Sequence, residues 1–234
     1  MNRSRRAFLT GAGAMGLGLA ASLPAGGQEK AEATVPGRTA TETLMQEHGV
    51  IHRLMTVYQE CADRLAAGDG IPPGALINAG ALADEFVESY HEEMEERYVY
   101  PAFIEAGRMA ALVTVMIRQH AVGRDLAGRA VFYAGRSDRG KPETREALIA
   151  TCRSYARMYR AHAAHEDTVL LPALREVIGP GKFRQLGERF GEFARERMGT
   201  CPAVAVLERL VEIERMLGIA ELDTFTASRE PVPR

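Results

Sequence analysis

The sequence has no tryptophan, few aromatic residues, and only three cysteines among its 234 residues. Positive and negative side chains nearly balance, with a net charge of -2 at pH 7. No strong electrostatic field would therefore draw nucleic acid or an anionic membrane to the protein. No segment alternates apolar and polar residues in the manner of a half-buried strand. Alanine, leucine, glutamate and arginine are abundant instead, which favours helices within one sizeable domain.

The first 25 residues have the pattern of an export signal. Paired Arg5 and Arg6 precede an uncharged run, rich in glycine and alanine, that extends over 7–25. This order is typical of a secretory signal, and the paired arginines resemble a bacterial twin-arginine signal. An uncleaved membrane anchor is the alternative, but so many glycines make a poor one. We therefore predict export by the twin-arginine route to the periplasm or another extracytoplasmic location, a flexible linker over 26–39, and no membrane span in the mature chain.

The remainder of the chain has apolar residues at spacings of three and four, the pattern of amphipathic helices. Breakers rich in glycine and proline separate the segments. The predicted long helices are 40–67, 74–106, 109–135 and 142–178, and two shorter ones follow near 182–198 and 203–217. Four long helices with short connections predict an all-α, up-down-up-down four-helix bundle over 40–178. A helical extension over 179–226 and a tail over 227–234 complete the predicted organisation.

Two stretches of the sequence share one skeleton. They are HEEMEERYVYP at 91–101 and HAAHEDTVLLP at 162–172, and each has a histidine, a glutamate four residues later and a proline ten residues after the histidine. The two copies lie 71 residues apart, and His48 and His120 lie 72 residues apart. This spacing indicates an internal duplication of a helical hairpin.

The repeated residues have the chemistry of metal ligands. Histidine and glutamate at positions i and i+4 share one helix face, so both can reach an object between helices. A single histidine on an apolar face is usually an ordinary core residue, but a duplicated set is hard to explain in that way. Imidazoles together with carboxylates favour iron, zinc or manganese over calcium or magnesium, and two carboxylates could bridge two ions. The predicted ligands are His48, His91, Glu95, His120, His162 and Glu166.

At these residues the chain resembles the hemerythrin family, in particular its bacterial HHE cation-binding domains. The resemblance is carried by EHGVIHRL, YHEEMEERYVYPAF, RQHAVGRDL and YRAHAAHEDTVLLPAL, and it continues to about residue 226. It implies two non-haem iron ions, bridged by carboxylates or by an Fe–O–Fe unit, and dioxygen, another small diatomic molecule or a peroxide as ligand. Ferritin-like proteins need Glu-x-x-His on two helices. That alternative fails because Tyr159 stands three residues before His162.

Three further residues have more than one interpretation. His52 lies one turn beyond His48 and is a seventh candidate ligand, although oxygen-carrying hemerythrins have such a pair on the third helix, where this chain has Arg124. Glu92 is expected on a solvated face, with metal ligation as the alternative. His165 has no counterpart in the first hairpin and is expected at the periphery.

Cys61 and Cys152 are expected near the same end of the bundle if the first and fourth helices are antiparallel. A disulfide between them is one interpretation, which depends on the direction of the two Cβ atoms. Small core residues are the favoured one.

Two classes of function are compatible with such a centre. We predict a protein that binds or senses dioxygen, and the alternative is an enzyme or stress protein that acts on peroxide or nitric oxide or handles iron. Six ligand residues leave more open coordination positions than seven, and open positions favour chemistry. The sequence contains no recognisable catalytic triad, and it does not identify a redox partner.

Overall fold

The computed structural model describes residues 38–136, 140–199 and 202–227. The predicted export signal, most of the linker, Cys201 and the end of the tail lie outside these ranges. The described residues contain helices and no strand, which confirms the all-α prediction. Within the same ranges, no helix is long and apolar enough to cross a membrane.

Four long helical rods follow one another along the chain. Helix α1 is Ala40–Ala67. Helix α2 is built from four successive segments, Ala75–Leu82, Ala83–Glu92, Glu95–Val99 and Tyr100–Glu105. Helix α3 is Ala110–Gly135. Helix α4 consists of Pro142–His165, Glu166–Leu170 and the first part of Leu171–Met198, up to a break at Gly179, where φ is 78°. Helix α5 is the remainder of that segment, α6 is Pro202–Met216, and a short 3₁₀ turn spans Leu222–Phe225. The predicted helix boundaries are confirmed within a few residues.

Local signals explain where α1 begins and ends. The Thr39 hydroxyl accepts a hydrogen bond from the amide of Glu42, and the Glu42 carboxylate accepts one from the amide of Thr39. This capping box satisfies amides that the first helical turn leaves free. At the other end Gly68 adopts a φ of 87°, a left-handed conformation that glycine takes without strain.

The long helices form an up-down-up-down bundle. His48 contacts Asp167 and Asp63 contacts Arg153, so α1 and α4 run in opposite directions. Along α3, His120 contacts His162 of α4 and Gly123 faces Tyr159, so α3 and α4 also run in opposite directions. Buried apolar side chains fill the interior between the rods.

The C-terminal helices cover the first hairpin. Phe193 of α5 stacks on Tyr90 of α2 with 5.9 Å between ring centroids. Glu214 of α6 forms an ion pair with Arg53 of α1 at 2.5 Å. Because these contacts go to α1 and α2, the extension closes one side of the bundle.

The two cysteines of the described core are free thiols. Cys61 and Cys152 are both fully buried. Burial raises the pKa of the Cys61 thiol to about 12, which leaves almost no reactive thiolate at neutral pH. They are small core residues, the favoured interpretation from sequence.

Candidate metal centre

The six predicted ligands converge in the middle of the bundle, and all six are buried. Donor atoms of four of them, His48, His91, Glu95 and Glu166, lie within 4.8 Å of one another. A second such group consists of Glu95, His120 and His162. Glu95 belongs to both groups, so it lies between the two halves of the site.

The two carboxylates are each shared between halves. Oε1 of Glu95 lies 3.5 Å from Nε2 of His91, and its Oε2 lies 3.5 Å from Nε2 of His120. Oε2 of Glu166 lies 3.3 Å from Nε2 of His48 and 3.1 Å from Nε2 of His162. This is the arrangement that carboxylates need if they are to bridge two ions.

The duplicated prolines set the local backbone of both helices that carry a His–Glu pair. A proline has no amide hydrogen and its ring clashes with the preceding turn, so it interrupts the α-helical bond pattern. Before Pro101 and Pro172 the chain widens into π-helical turns, Glu95–Val99 and Glu166–Leu170. In each turn the residue before proline donates its amide hydrogen to the carbonyl of the shared glutamate. The proline repeat therefore helps to fix both glutamates.

Each imidazole is also held from outside the centre by a hydrogen bond at Nδ1. The distances are 2.7 Å from His48 to Asp167, 2.9 Å from His91 to Glu47, 2.9 Å from His120 to Glu96, and 3.0 Å from His162 to Gln119. Such bonds orient the rings and direct Nε2 inward. Two of these partners directly precede a histidine of α1 or α3, and two directly follow a shared glutamate. The duplication therefore includes them, and this register is the signal that could have revealed them.

Tyr100 lies at the centre of the site, and the sequence repeat does not indicate it. Its hydroxyl donates to Oε1 of Glu166 at 2.6 Å and lies 3.2 Å from Nε2 of His120. The equivalent position in the second hairpin is Leu171. The phenol therefore makes the two halves of the centre chemically different.

Three buried atoms of the first group have no hydrogen-bond partner among the described residues. They are Nε2 of His48, Oε1 of Glu95 and Oε2 of Glu166. Burying polar atoms without partners is costly, and these atoms belong to residues that also form one compact group of possible ligands. Iron, zinc and manganese accept imidazole nitrogen and carboxylate oxygen together. The residues present therefore fit transition-metal ions.

The buried imidazoles and carboxylates of the site shift one another's pKa values. Burial alone lowers the pKa of His48, but the hydrogen bond to Asp167 and the nearby carboxylates of Glu166 and Glu95 raise it well above its ordinary value. Burial also opposes the charge of His120, yet neighbouring glutamates raise its pKa to about 10. Burial and Glu95 both raise the pKa of Glu166, but the neighbouring imidazoles, His162 foremost, lower it to about 2. Metal binding must therefore displace protons from the imidazoles.

Comparison with known families adds a decisive match. The model of the hemerythrin HHE cation-binding domain matches residues 39–174, a range that contains all six residues. The chain belongs to this hemerythrin family. Uncharacterized proteins of Mycobacterium tuberculosis (strain H37Rv) and Mycobacterium bovis are 36% identical to it over 190 residues, which is 81% of this chain and 74% of theirs. No solved structure matches the chain.

The remaining histidines of this hemerythrin-like chain lie outside the two ligand groups. His52 is half-buried and shares no group of donor atoms with the six. Its pKa is lowered by burial and by the charge of His48. Metal ligation by His52 stays a prediction, and neither group of donor atoms includes this residue. His165 is exposed and donates from Nδ1 to the carbonyl of Ala161, as expected for a peripheral residue.

Glu92 corrects an expectation from sequence. It is fully buried, so the solvated face is wrong. It accepts a hydrogen bond from the Tyr159 hydroxyl and forms an ion pair with Arg124 at 2.8 Å. Arg124 also contacts Glu96 at 2.6 Å, so a cation already pairs with both carboxylates of the third group of possible ligands, Glu92, Glu96 and His120. Burial raises the pKa of Glu92 to about 7, against the lowering effects of His120 and Arg124.

Proposed function

We propose that the centre holds two non-haem iron ions. One would lie at His48 and His91 and the other at His120 and His162, with Glu95 and Glu166 shared between them. The observation that carries this proposal is the pair of donor groups joined by one carboxylate, with three unpartnered buried atoms in the first. Bound iron would supply electrons to a small oxidant and regain them from a reductant.

The small oxidant that we propose is dioxygen or a peroxide, and the outcome is oxidation of the centre rather than reversible carriage. A ligand set of six leaves open coordination positions, and open positions favour reaction. The placement of His52 outside both groups supports this choice. Reversible binding or sensing of dioxygen is the second candidate, and it requires His52 to turn inward beside His48.

The protein's own residues have distinct parts in this proposal. The outer hydrogen bonds at Nδ1 keep the imidazoles in place, and the buried position of the site excludes bulk water. The Tyr100 hydroxyl can donate a hydrogen bond to Glu166 or to an oxygen species beside it. We propose further that the protein acts outside the cytoplasm, on the basis of the signal pattern in residues 1–25.

An anaerobic titration tests the iron proposal. The purified chain without residues 1–25 is loaded with ferrous iron, its iron content is measured, and absorption spectra are recorded before and after addition of air or hydrogen peroxide. We expect two irons per chain and a new absorption band that evacuation does not reverse. His165→Ala is the matched control, because this histidine is exposed. Absence of bound iron would overturn the proposal, and a band that disappears under vacuum would favour dioxygen carriage.

A further inference from the structure

Three buried tyrosine rings extend from the candidate centre into the bundle. The Tyr159 ring centroid lies 5.4 Å from that of His162 and 5.2 Å from that of Tyr155. Tyr58 follows at 4.9 Å from Tyr155. The three tyrosines are at most 2% exposed. Neighbouring aromatic rings at these separations are close enough for an electron to pass between them.

The hydroxyls of these rings differ in one respect. The hydroxyl of Tyr159 donates to Oε1 of Glu92, whose carboxylate is also paired with Arg124. The hydroxyls of Tyr58 and Tyr155 are buried without a hydrogen-bond partner among the described residues. A phenol that loses an electron becomes strongly acidic, and an acceptor within hydrogen-bond reach must take its proton. Of the three rings, only Tyr159 has that acceptor.

Space for this ring is provided by a glycine of α3. A Cβ atom at Gly123 would lie 2.8 Å from Cε2 of Tyr159. The position that is 72 residues earlier holds Ile51, so the first hairpin has no such gap. The ring, its acceptor and the gap that admits it thus occur together, on the side of the site that carries His162.

We propose that Tyr159 is a redox-active residue that donates one electron to the iron centre and one proton to Glu92. This inference rests on the proposed function. The oxidant is hydrogen peroxide, which needs two electrons and two protons to become two water molecules as its O–O bond breaks. A centre with one ferrous ion supplies one electron. Tyr159 supplies the other as its O–H bond breaks; its proton passes to Glu92, both protons for the two water molecules come from solvent, and a neutral tyrosyl radical remains.

Tyr100 is the competing donor, because its hydroxyl lies nearer to the candidate ligands. Its proton acceptors, however, are Glu166 and Glu95, the carboxylates that hold the metal ions. Protonation of either would weaken metal binding. Glu92 lies outside the two groups that share Glu95, so it can take a proton while the centre stays intact.

Electron paramagnetic resonance of rapidly frozen samples tests this inference. Iron-loaded protein is brought to one ferrous ion per chain, mixed with one equivalent of hydrogen peroxide and frozen. The variants are Tyr159→Phe and Glu92→Gln, with Tyr155→Phe and Tyr58→Phe as matched controls, and Tyr100→Phe tests the competing donor. Iron content and circular dichroism are measured for every sample.

We expect a tyrosyl radical signal in the wild type, in Tyr155→Phe and in Tyr58→Phe, its loss in Tyr159→Phe and a reduced yield in Glu92→Gln. Retention of the signal in Tyr159→Phe, or its loss only in Tyr100→Phe, would overturn the assignment. If iron binds and oxidises but the wild type gives no radical, this inference fails and the proposed function stands. If no iron binds, both fail. Should Tyr159→Phe lose iron, Glu92→Gln decides: an unchanged yield rejects the inference and a reduced yield supports it.

Discussion

The two halves of the centre hold their imidazoles in the same way but have different surroundings. In both halves the Nε2 atoms face shared carboxylates and the Nδ1 atoms are bound from outside. The His48 half has carboxylates as both outer partners, whereas the His120 half has one carboxylate and the amide of Gln119. It is also the His120 half that contacts Tyr100. Duplication has thus preserved the geometry that holds a metal and allowed the chemistry around it to diverge.

Removal of one histidine from either half should have the largest effect. We expect His91→Ala and His162→Ala each to lose metal and thermal stability together, because the remaining buried ligands become polar groups without partners. The measurements are iron content and thermal unfolding followed by circular dichroism. Full iron content in both variants would refute the assigned ligands.

An exchange of the outer hydrogen-bond partners tests whether the two halves differ in metal affinity because of the charge of those partners. We expect Glu47→Gln to weaken metal binding by roughly 10- to 100-fold, since outer hydrogen bonds orient a ligand and raise its basicity. Gln119→Glu should strengthen metal binding at the His120 half by a smaller factor and so reduce the difference in affinity between the halves. Competitive titration with a chelator measures both. Equal affinities for Glu47→Gln and the wild type would contradict this account.

A glycine of α3 tests the crowding around the Tyr159 ring, which is specific to the His120 half of the centre. We expect Gly123→Ala to destabilise the protein by about 1–3 kcal/mol, because the new methyl group would press on the Tyr159 ring. Gly128→Ala on the same helix is the matched control, since a Cβ there meets nothing within 4 Å. It should stabilise the protein by up to about 1 kcal/mol through helix propensity. Chemical denaturation of both variants measures the difference, and similar effects would contradict the packing argument.

The smallest effect is expected at His52. Because it lies outside both ligand groups, His52→Ala should keep its iron and leave the absorption spectrum of the oxidised protein nearly unchanged. Loss of one iron or a clear spectral shift would show that His52 is a ligand. The His48 half would then have three imidazole ligands. Air titration of the variant beside the wild type provides the answer.

Sequence periodicity was sufficient for the helices and for the placement of six buried residues, because repeated His, Glu and Pro residues mark one face of each helix. It was insufficient for Glu92. An ideal α-helix places Glu92 about 100° away from His91, but Ala83–Glu92 is π-helical and both side chains are buried. Glu47 and Asp167 were missed because a lone carboxylate on a helix resembles a solvated residue. Tyr100 was missed because it occurs in one copy only.

The cover that α5 and α6 form over the first hairpin also concerns the timing of assembly. Arg53 binds Glu214, which is 161 residues later, and Arg64 donates to the carbonyl of Leu217, 153 residues later. The contact between His120 and His162 spans only 42 residues. A ribosome delivers the chain from its N-terminus, so contacts within each hairpin, such as that of His91 with Glu47 across 44 residues, can form before the last helix covers α1. We therefore expect α6 to dock last, onto a bundle in which α1 to α4 have already brought the candidate ligands together.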